Sequence, residues 1–359
     1  MNPRHASTQA LFQTLTLTLP LLQAPMAGTA TPELAAAVSN AGALGGLGLG
    51  ASTPAAAHMA ITRTQALTAR PFQVNLFCHA ALARDSEVES RWIERARPLF
   101  ETFGSAPPPA LEEIYSPFQL DPAMLEVLQE TRPAVVSFHF GLPTAAQIES
   151  LRRAGCLLLA TATSLDEGRR IAASGLDAII AQGWSAGGHR GIFDPEVEDE
   201  RLSTEALTRR LVAEFDLPII AAGGLMDGVD IARALSWGAS AAQLGTAFIG
   251  CPESAADPAY RERLAVGGKT VMTRAISGRP ARCLENGFTA WARDAQADEI
   301  PAYPCAYDLG KALNAAAKAN GDGTYGAQWA GTGADRARTL PATALVEAIA
   351  AEWRQASST

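Results

Sequence analysis

The sequence predicts an α/β protein: a (β/α)8 TIM barrel with a helical excursion after its third strand and a C-terminal cap. Three observations predict it. Short apolar strands alternate with capped helices until eight units are counted. Later strands run straight into glycines, in Ala181-Gln182-Gly183-Trp184-Ser185-Ala186-Gly187-Gly188-His189-Arg190-Gly191, in Pro218-Ile219-Ile220-Ala221-Ala222-Gly223-Gly224-Leu225 and in Ala242-Gln243-Leu244-Gly245-Thr246-Ala247-Phe248. Such glycines belong at the carboxyl ends of barrel strands, where loops present backbone N–H groups to a ligand. The 359 residues also exceed the about 250 of such a barrel by enough for a substantial appendage.

The elements follow in order. Residues 1–20 form a tail and lead-in, and the barrel runs over 21–250. Leu21 to Met26 is the first strand, and Thr31-Pro32 opens a helix that Gly42 closes. Ala43 to Leu47 is the second strand, followed by a helix from Thr53-Pro54 through Ala66, and Pro71 to Leu76 is the third. From 79 to 130 the chain is charged, proline-bearing and partly helical, with a break at Ala106-Pro107-Pro108-Pro109, so it reads as the excursion. Ala134 to Phe138, Cys156 to Ala160 and Asp177 to Ala181 supply strands four to six, with helices from Thr144 to Arg153 and Ser164 to Ser174 between them. Ile219 to Ala222 and Ala241 to Leu244 are strands seven and eight, with helices near Ser203 to Phe215 and Asp227 to Trp237. The remainder, 251–359, carries helices at Lys311 to Lys318 and Ala342 to Trp353 and is expected to fold over the barrel mouth.

Composition narrows the function. Hydrophobic residues make up 48% and charged residues 18%, which suits much buried parallel sheet. The net charge of -8 comes with no basic run, so nucleic acid is excluded as a partner. Leu15 to Leu22 alternates with threonine and is interrupted by Pro20, so it lacks the apolar core of a secretory leader, and no stretch has the length to span a membrane. The five cysteines are scattered, without zinc or disulfide spacing, which points to a cytoplasmic protein. No HxH, HExxH or acidic cluster offers a metal site.

The chemistry gathers at strand ends. Gly223-Gly224 and Gly245-Thr246 have the form of phosphate-gripping loops, with glycine allowing close backbone approach and Thr246 adding a hydroxyl; the same glycines also suit tight strand-to-helix turns. Asn75 and Gln182 end strands three and six as polar amides, placed either to read the alternating donors and acceptors of a flavin pyrimidine edge or to tie neighbouring loops together. His189 sits on a glycine loop, where an imidazole titrating near about pH 6.5 can take a proton from a carbon acid or bond a bound anion. His139, between Phe138 and Phe140, reads as a packed histidine, and Arg190 as a partner for a nearby acid. Trp184, Tyr325 and Trp329 are candidates to wall an apolar pocket or to pack the cap.

Together these segments resemble the nitronate monooxygenase family, formerly called 2-nitropropane dioxygenase. The likeness rests on Gln23-Ala24-Pro25-Met26-Ala27-Gly28, Ala37 to Gly45, Val74-Asn75-Leu76, the Ala186-Gly187-Gly188-His189-Arg190-Gly191 loop and the loops after strands seven and eight. It extends into the cap through Ser277 to Arg282, Ile300 to Pro304 and Gln328 to Gly331. The resemblance implies FMN held non-covalently at Ala24, Met26, Asn75, Gln182, Gly187, Gly188, Gly223, Gly224, Gln243, Leu244, Gly245 and Thr246, with His189 as catalytic base. It further implies that an alkyl nitronate, or a nitroalkane, gives one electron to FMN and that oxygen chemistry yields a carbonyl compound and nitrite, in a monomer or homodimer. The family loop commonly has Glu where this chain has Ser185. Two other readings stand beside it: an FMN-dependent enoyl-acyl-carrier-protein reductase using NAD(P)H, which has a similar barrel and loop, and a non-enzymatic barrel that binds a phosphate-bearing ligand.

Overall fold

A computed structural model describes residues 3–81 and 84–358. Eight strands form the barrel: β1 (Leu21–Gln23), β2 (Gly45–Gly48), β3 (Phe72–Phe77), β4 (Val135–His139), β5 (Leu157–Ala162), β6 (Ala178–Gln182), β7 (Ile219–Ala222) and β8 (Ala241–Leu244). Neighbours pair in parallel from β2 round to β8, and β8 pairs with β1 in the register Leu21 opposite Ala242. A single bridge between Leu22 and Leu44 closes the ring, with the Gln23 N–H donating to Leu44 O at 2.8 Å.

The helices start where their caps dictate. Thr31, Thr53, Ser164, Ser203 and Asp227 each accept a backbone N–H of the first turn, and Thr144 with Gln147 forms a full capping box. These satisfy donors that a helix start otherwise leaves unpaired, so the observed starts lie within a residue or two of the expected ones.

Three helices take places that the sequence pattern did not reveal. Pro3–Thr14 brings Leu11 to a cluster that also holds Leu15, Leu22, Leu44, Val135 and Ile220, closing the barrel end opposite the glycine loops. Pro122–Thr131, at the end of the excursion, packs against Pro54–Leu67 and Ala145–Arg153 and so serves as the ring helix between β3 and β4. The last helix, Ala342–Ser357, was expected over the barrel mouth. It lies instead in the ring, where Leu345, Val346 and Ile349 pack on Leu34, Val38, Ile231 and Ala234, because only the four-residue helix Thr246–Ile249 follows β8 directly and leaves that flank to be covered.

The cap proper covers the mouth. Its helix Cys305–Ala319 packs Leu309 and Leu313 with Phe288 against Trp92, Ile93 and Phe100 of the excursion helix Ser86–Thr102. An antiparallel pair, Thr270–Thr273 with Ala281–Leu284, gains a third short strand from the barrel itself, Gly188–His189. The loop after β6 is thereby stitched into the cap.

The contact between the last helix and Gly228–Ser236 is closest at Gly228, where an added β-carbon would stand 2.2 Å from Trp353 N and 2.3 Å from Ile349 O. Gly228→Ala is therefore expected to cost about 1–3 kcal/mol by overpacking. Urea unfolding should show a lower midpoint with an unchanged slope.

Candidate active site

Along a barrel strand, alternate side chains point to the interior and to the helices. On the interior side lie Gln73, Asn75, Gln182 and Gln243, a run of amides in an otherwise apolar barrel, and Gln23 is buried where β1 meets β2, its side chain bonded to the Gly46 backbone. The lower ones bond one another: Gln23 Oε1 accepts the Gly46 N–H at 2.9 Å, Gln73 Nε2 donates to Gln23 O at 2.9 Å, and Gln73 Nε2 lies 3.5 Å from Gln243 Oε1. Above them a cavity of about 420 Å³ opens at the carboxyl ends of the strands. Ala24, Met26, Asn75, Gln182, Gly187, Gly188, His189, Gly223, Gly224, Gln243, Gly245 and Thr246 all line it. Leu244 does not. By strand alternation its side chain points outward and is fully buried beside Leu21, Leu34 and Phe248, so the expectation that it meets a ligand fails on the side-chain level.

His189 is held from both sides. Its carbonyl accepts hydrogen bonds from Gln182 Nε2 at 2.9 Å and from His139 Nε2 at 3.1 Å, and Gly191 N–H donates to Gln182 Oε1 at 2.7 Å. Since a carbonyl can only accept, His139 carries its proton on Nε2, and its Nδ1 accepts from Thr161 Oγ1 at 3.0 Å. On the cap side His189 pairs with Ala281, and its own Nε2 meets Ser277 Oγ at 2.8 Å. The Ser277 hydroxyl reaches Arg279 O at 3.3 Å. If that is where its hydrogen goes, His189 carries a proton on Nε2 and keeps the Nδ1 lone pair. The imidazole stands among Trp329, Phe140, Tyr303 and Tyr307, with ring centres 5.0, 5.6, 5.6 and 6.1 Å away.

Burial pushes the His189 pKa down to about 3, with His139 and Arg279 adding to the effect. His139 falls to about 4 through burial, partly opposed by its bond to the His189 carbonyl. Both rings are neutral at neutral pH. Among the described residues no aspartate or glutamate lines the cavity, in a chain whose net charge is -8.

Glycine shapes the opposite wall. Gly223 and Gly224 have φ of +118° and +70°, a conformation that side-chain-bearing residues rarely adopt. Thr204 Oγ1 anchors this turn by donating to Gly223 O at 2.8 Å. Thr246 Oγ1 accepts the Gly331 N–H at 3.0 Å, which leaves its hydroxyl hydrogen for a further acceptor. Ser185 stands beside this turn: a β-carbon on Gly224 would lie 2.9 Å from Ser185 Cβ, and Ser185 O accepts the Thr332 N–H at 3.1 Å.

Several wall residues had no local signature in the sequence. Tyr260, Tyr303, Tyr307 and Lys311 come from the cap and Tyr115 from the excursion. The Lys311 ammonium sits 4.8 Å from the Tyr115 ring centre and 5.4 Å from that of Tyr307. The signal available for them was the cap likeness over Ser277 to Arg282 and Ile300 to Pro304. Trp329 lines the cavity, whereas Tyr325 packs on Phe103 and Trp184 takes the guanidinium groups of Arg190, Arg201 and Arg282 on its ring at 5.3–5.8 Å. Arg190 is buried, pairs with Asp199 at 2.7 Å and donates to Gln182 O, so it braces the histidine loop from behind.

A family model described as nitronate monooxygenase matches residues 8–352. The chain is 53% identical over 349 residues to the nitronate monooxygenase of Paraburkholderia phytofirmans, an alignment covering 97% of this chain and 95% of that one. Among solved structures it is similar to nitroalkane oxidase from Streptomyces ansochromogenes, with TM-score 0.90, 38% identity and coverage of 97% and 99%. FabK from Thermotoga maritima is more remote, with TM-score 0.74, 27% identity and 97% coverage of both chains.

The brace behind the loop can be tested through Asp199. Burial pushes its carboxyl up, but the Arg190 bond and charge outweigh this and hold it below the ordinary value. Asp199→Asn leaves a buried guanidinium without its counter-charge, and about 3–5 kcal/mol should be lost in urea unfolding at neutral pH. The carboxylate contributes above its unfolded pKa of about 3.9 and ceases to as pH falls through the lower folded value, so the gap to the unaltered chain should close in that acid window.

Proposed function

The chain belongs to the nitronate monooxygenase family of oxidoreductases, and from that premise we propose that it is FMN-dependent and oxidises alkyl nitronates with O2 to carbonyl compounds and nitrite, with His189 as its catalytic base. The observation that carries the proposal is the cavity itself. It brings a clamped neutral histidine, three amides and two glycine turns to one acid-free chamber.

The residues present fit FMN. Seven of the lining residues are glycines, which leaves room for a planar ring and close backbone approach. The turns at Gly223-Gly224 and Gly245-Thr246 would hold the phosphate, with Thr246 donating its hydroxyl. Asn75, Gln182 and Gln243 would read the pyrimidine edge. Asn75 Nδ2 is shared between Ser137 O at 3.1 Å and Ser137 Oγ at 3.0 Å, and Gln182 keeps one N–H and one lone pair beyond its loop bonds, so each amide retains capacity for a ligand. When bound, FMN supplies the acceptor for an electron from the nitronate and the means of passing electrons on to O2.

The chain's own residues then do three things. The cavity, free of carboxylates and bearing Lys311 at its wall, attracts an anion. The rings of Tyr303, Tyr307 and Trp329 exclude water around the reacting carbon. His189, with Nε2 tied to Ser277, presents Nδ1 to accept a proton from a neutral nitroalkane or to face a nitronate. A pKa of about 3 makes it a weak base in the ligand-free chamber, and an anion beside it raises that value. Nitronates should therefore be turned over faster than their neutral nitroalkanes.

His189→Asn tests the assignment. The variant should keep its flavin spectrum and lose at least about tenfold in turnover of a neutral nitroalkane, followed as nitrite release. Unchanged turnover would remove His189 from this role. The purified protein should also show flavin bands that change when a small alkyl nitronate is added without oxygen. Fixed bands together with rapid NADH consumption on an enoyl thioester would instead favour a reductase.

A further inference from the structure

Arg279 is a buried cation that forms no ion pair among the described residues. It is 4% exposed, and among the described residues no carboxylate lies within the 4.0 Å of an ion pair. Its Nη2 donates to the carbonyls of Ile192 and Phe193, its Nε is buried without a partner, and its guanidinium carbon sits 4.3 Å from the centre of the Phe140 ring. Of the other buried arginines of this region, Arg190 is paired with Asp199, and Arg282 donates to Trp184 O and lies over the Trp184 ring, behind the histidine loop.

Phe140 connects this charge to the cavity. It follows β4 with φ of +70°, a conformation that is an outlier for a bulky residue, and its ring makes an edge contact with His189 at 5.6 Å and 89°. Such a conformation persists only where the surroundings over-determine it, and they do: Phe77, His139 and Tyr303 pack round the same ring at 4.9, 4.6 and 5.5 Å. The Phe140 ring thus contacts the guanidinium on one side and the imidazole on the other.

None of the groups facing His189 carries a negative charge to offset Arg279, on which only the more distant Glu167 and Asp194 act. His139 and His79 are held neutral by burial, with the Arg279 charge pushing both further down, and burial pushes the hydroxyls of Tyr303 and Tyr307 up, so these rings carry no charge. Arg274 pairs with Glu196 at 3.0 Å, and Lys311 at the cavity wall is exposed to screening. Of the nearest acids, Glu167 accepts from the Phe193 and Thr163 N–H groups and Asp194 from the Glu196 N–H.

We propose that Arg279 is a specificity-determining residue, whose buried and unpaired guanidinium makes the cavity favour anionic over neutral ligands and so a nitronate over the nitroalkane of the same carbon skeleton. It acts through the field across Phe140, without touching the substrate. The inference rests on the nitronate-oxidising reading for its substrate, but its electrostatic content can be tested separately.

The test uses FMN-loaded protein and two probes, nitrate as the anion and nitroethane as the neutral ligand, with Kd read from perturbation of the visible spectrum. Arg279→Gln keeps N–H donors for the Ile192 and Phe193 carbonyls and removes the charge. It should weaken nitrate about tenfold while nitroethane stays within about twofold. Arg279→Lys keeps the charge and should stay near the unaltered protein in its nitrate-to-nitroethane ratio. Equal loss of both ligands in Arg279→Gln, or loss of the ratio in Arg279→Lys, would overturn the proposal and leave Arg279 as packing. If Arg279→Gln does not fold, the ratio in Arg279→Lys decides alone. Failure of the unaltered protein to oxidise any nitronate would sink the proposed function, while the nitrate-to-nitroethane ratio would still decide the role of Arg279.

Discussion

The backbone of His189 is held by the barrel through its carbonyl and by the cap through strand pairing. Two side chains from different strands, Gln182 at the end of β6 and His139 at the end of β4, donate to the carbonyl, and the same residue pairs with Ala281 in the cap. A carbonyl with two side-chain donors is fully satisfied and holds its backbone in place. The loop therefore has one arrangement, which fixes the imidazole against Ser277 and the aromatic wall. It also fixes the tautomer of His139, because a carbonyl admits only an N–H. Rigidity of this kind is what a reacting side chain on a glycine loop needs, since the glycines themselves supply none.

Electrostatics follow from the same enclosure. Burial disfavours the charged form of each histidine in the chamber, and the absence of any lining carboxylate means that nothing pulls them back. The surface of the molecule is acidic while its cavity carries only neutral and cationic groups. An anion entering the chamber thus leaves an unfavourable field for a favourable one, and a neutral molecule gains nothing from the difference.

The strands and ring helices were legible because each has a local mark: an apolar run, then a threonine, serine or aspartate that caps the next helix. Strand ends were legible for the same reason, and Asn75, Gln182 and the glycine turns all face the cavity. Less could be read where the information is not local. Thr270–Thr273 and Ala281–Leu284 are four residues each, too short for an alternating pattern, and they are strands because Gly188–His189 completes their sheet from about ninety positions away. Ala342–Ser357 shows an apolar stripe, but nothing in a stripe says which surface it covers. The gap after β8 decided that. Gln23 and Gln73 looked like ordinary polar residues at strand positions, and only the closed barrel shows that they form a bonded layer beneath the cavity.

Ser185 shows what geometry adds to a loop position. A glutamate there would put a fixed negative charge near the histidine and a bound flavin, altering the pKa of the one or the hydrogen bonding of the other. In the folded chain the loop turns so that residue 185 stands against Gly224 and the Thr332 backbone. A charge at this position would therefore fall beside the glycine turn. Among the described residues no carboxylate lines the cavity, so the Lys311 ammonium at its wall meets no opposing charge there.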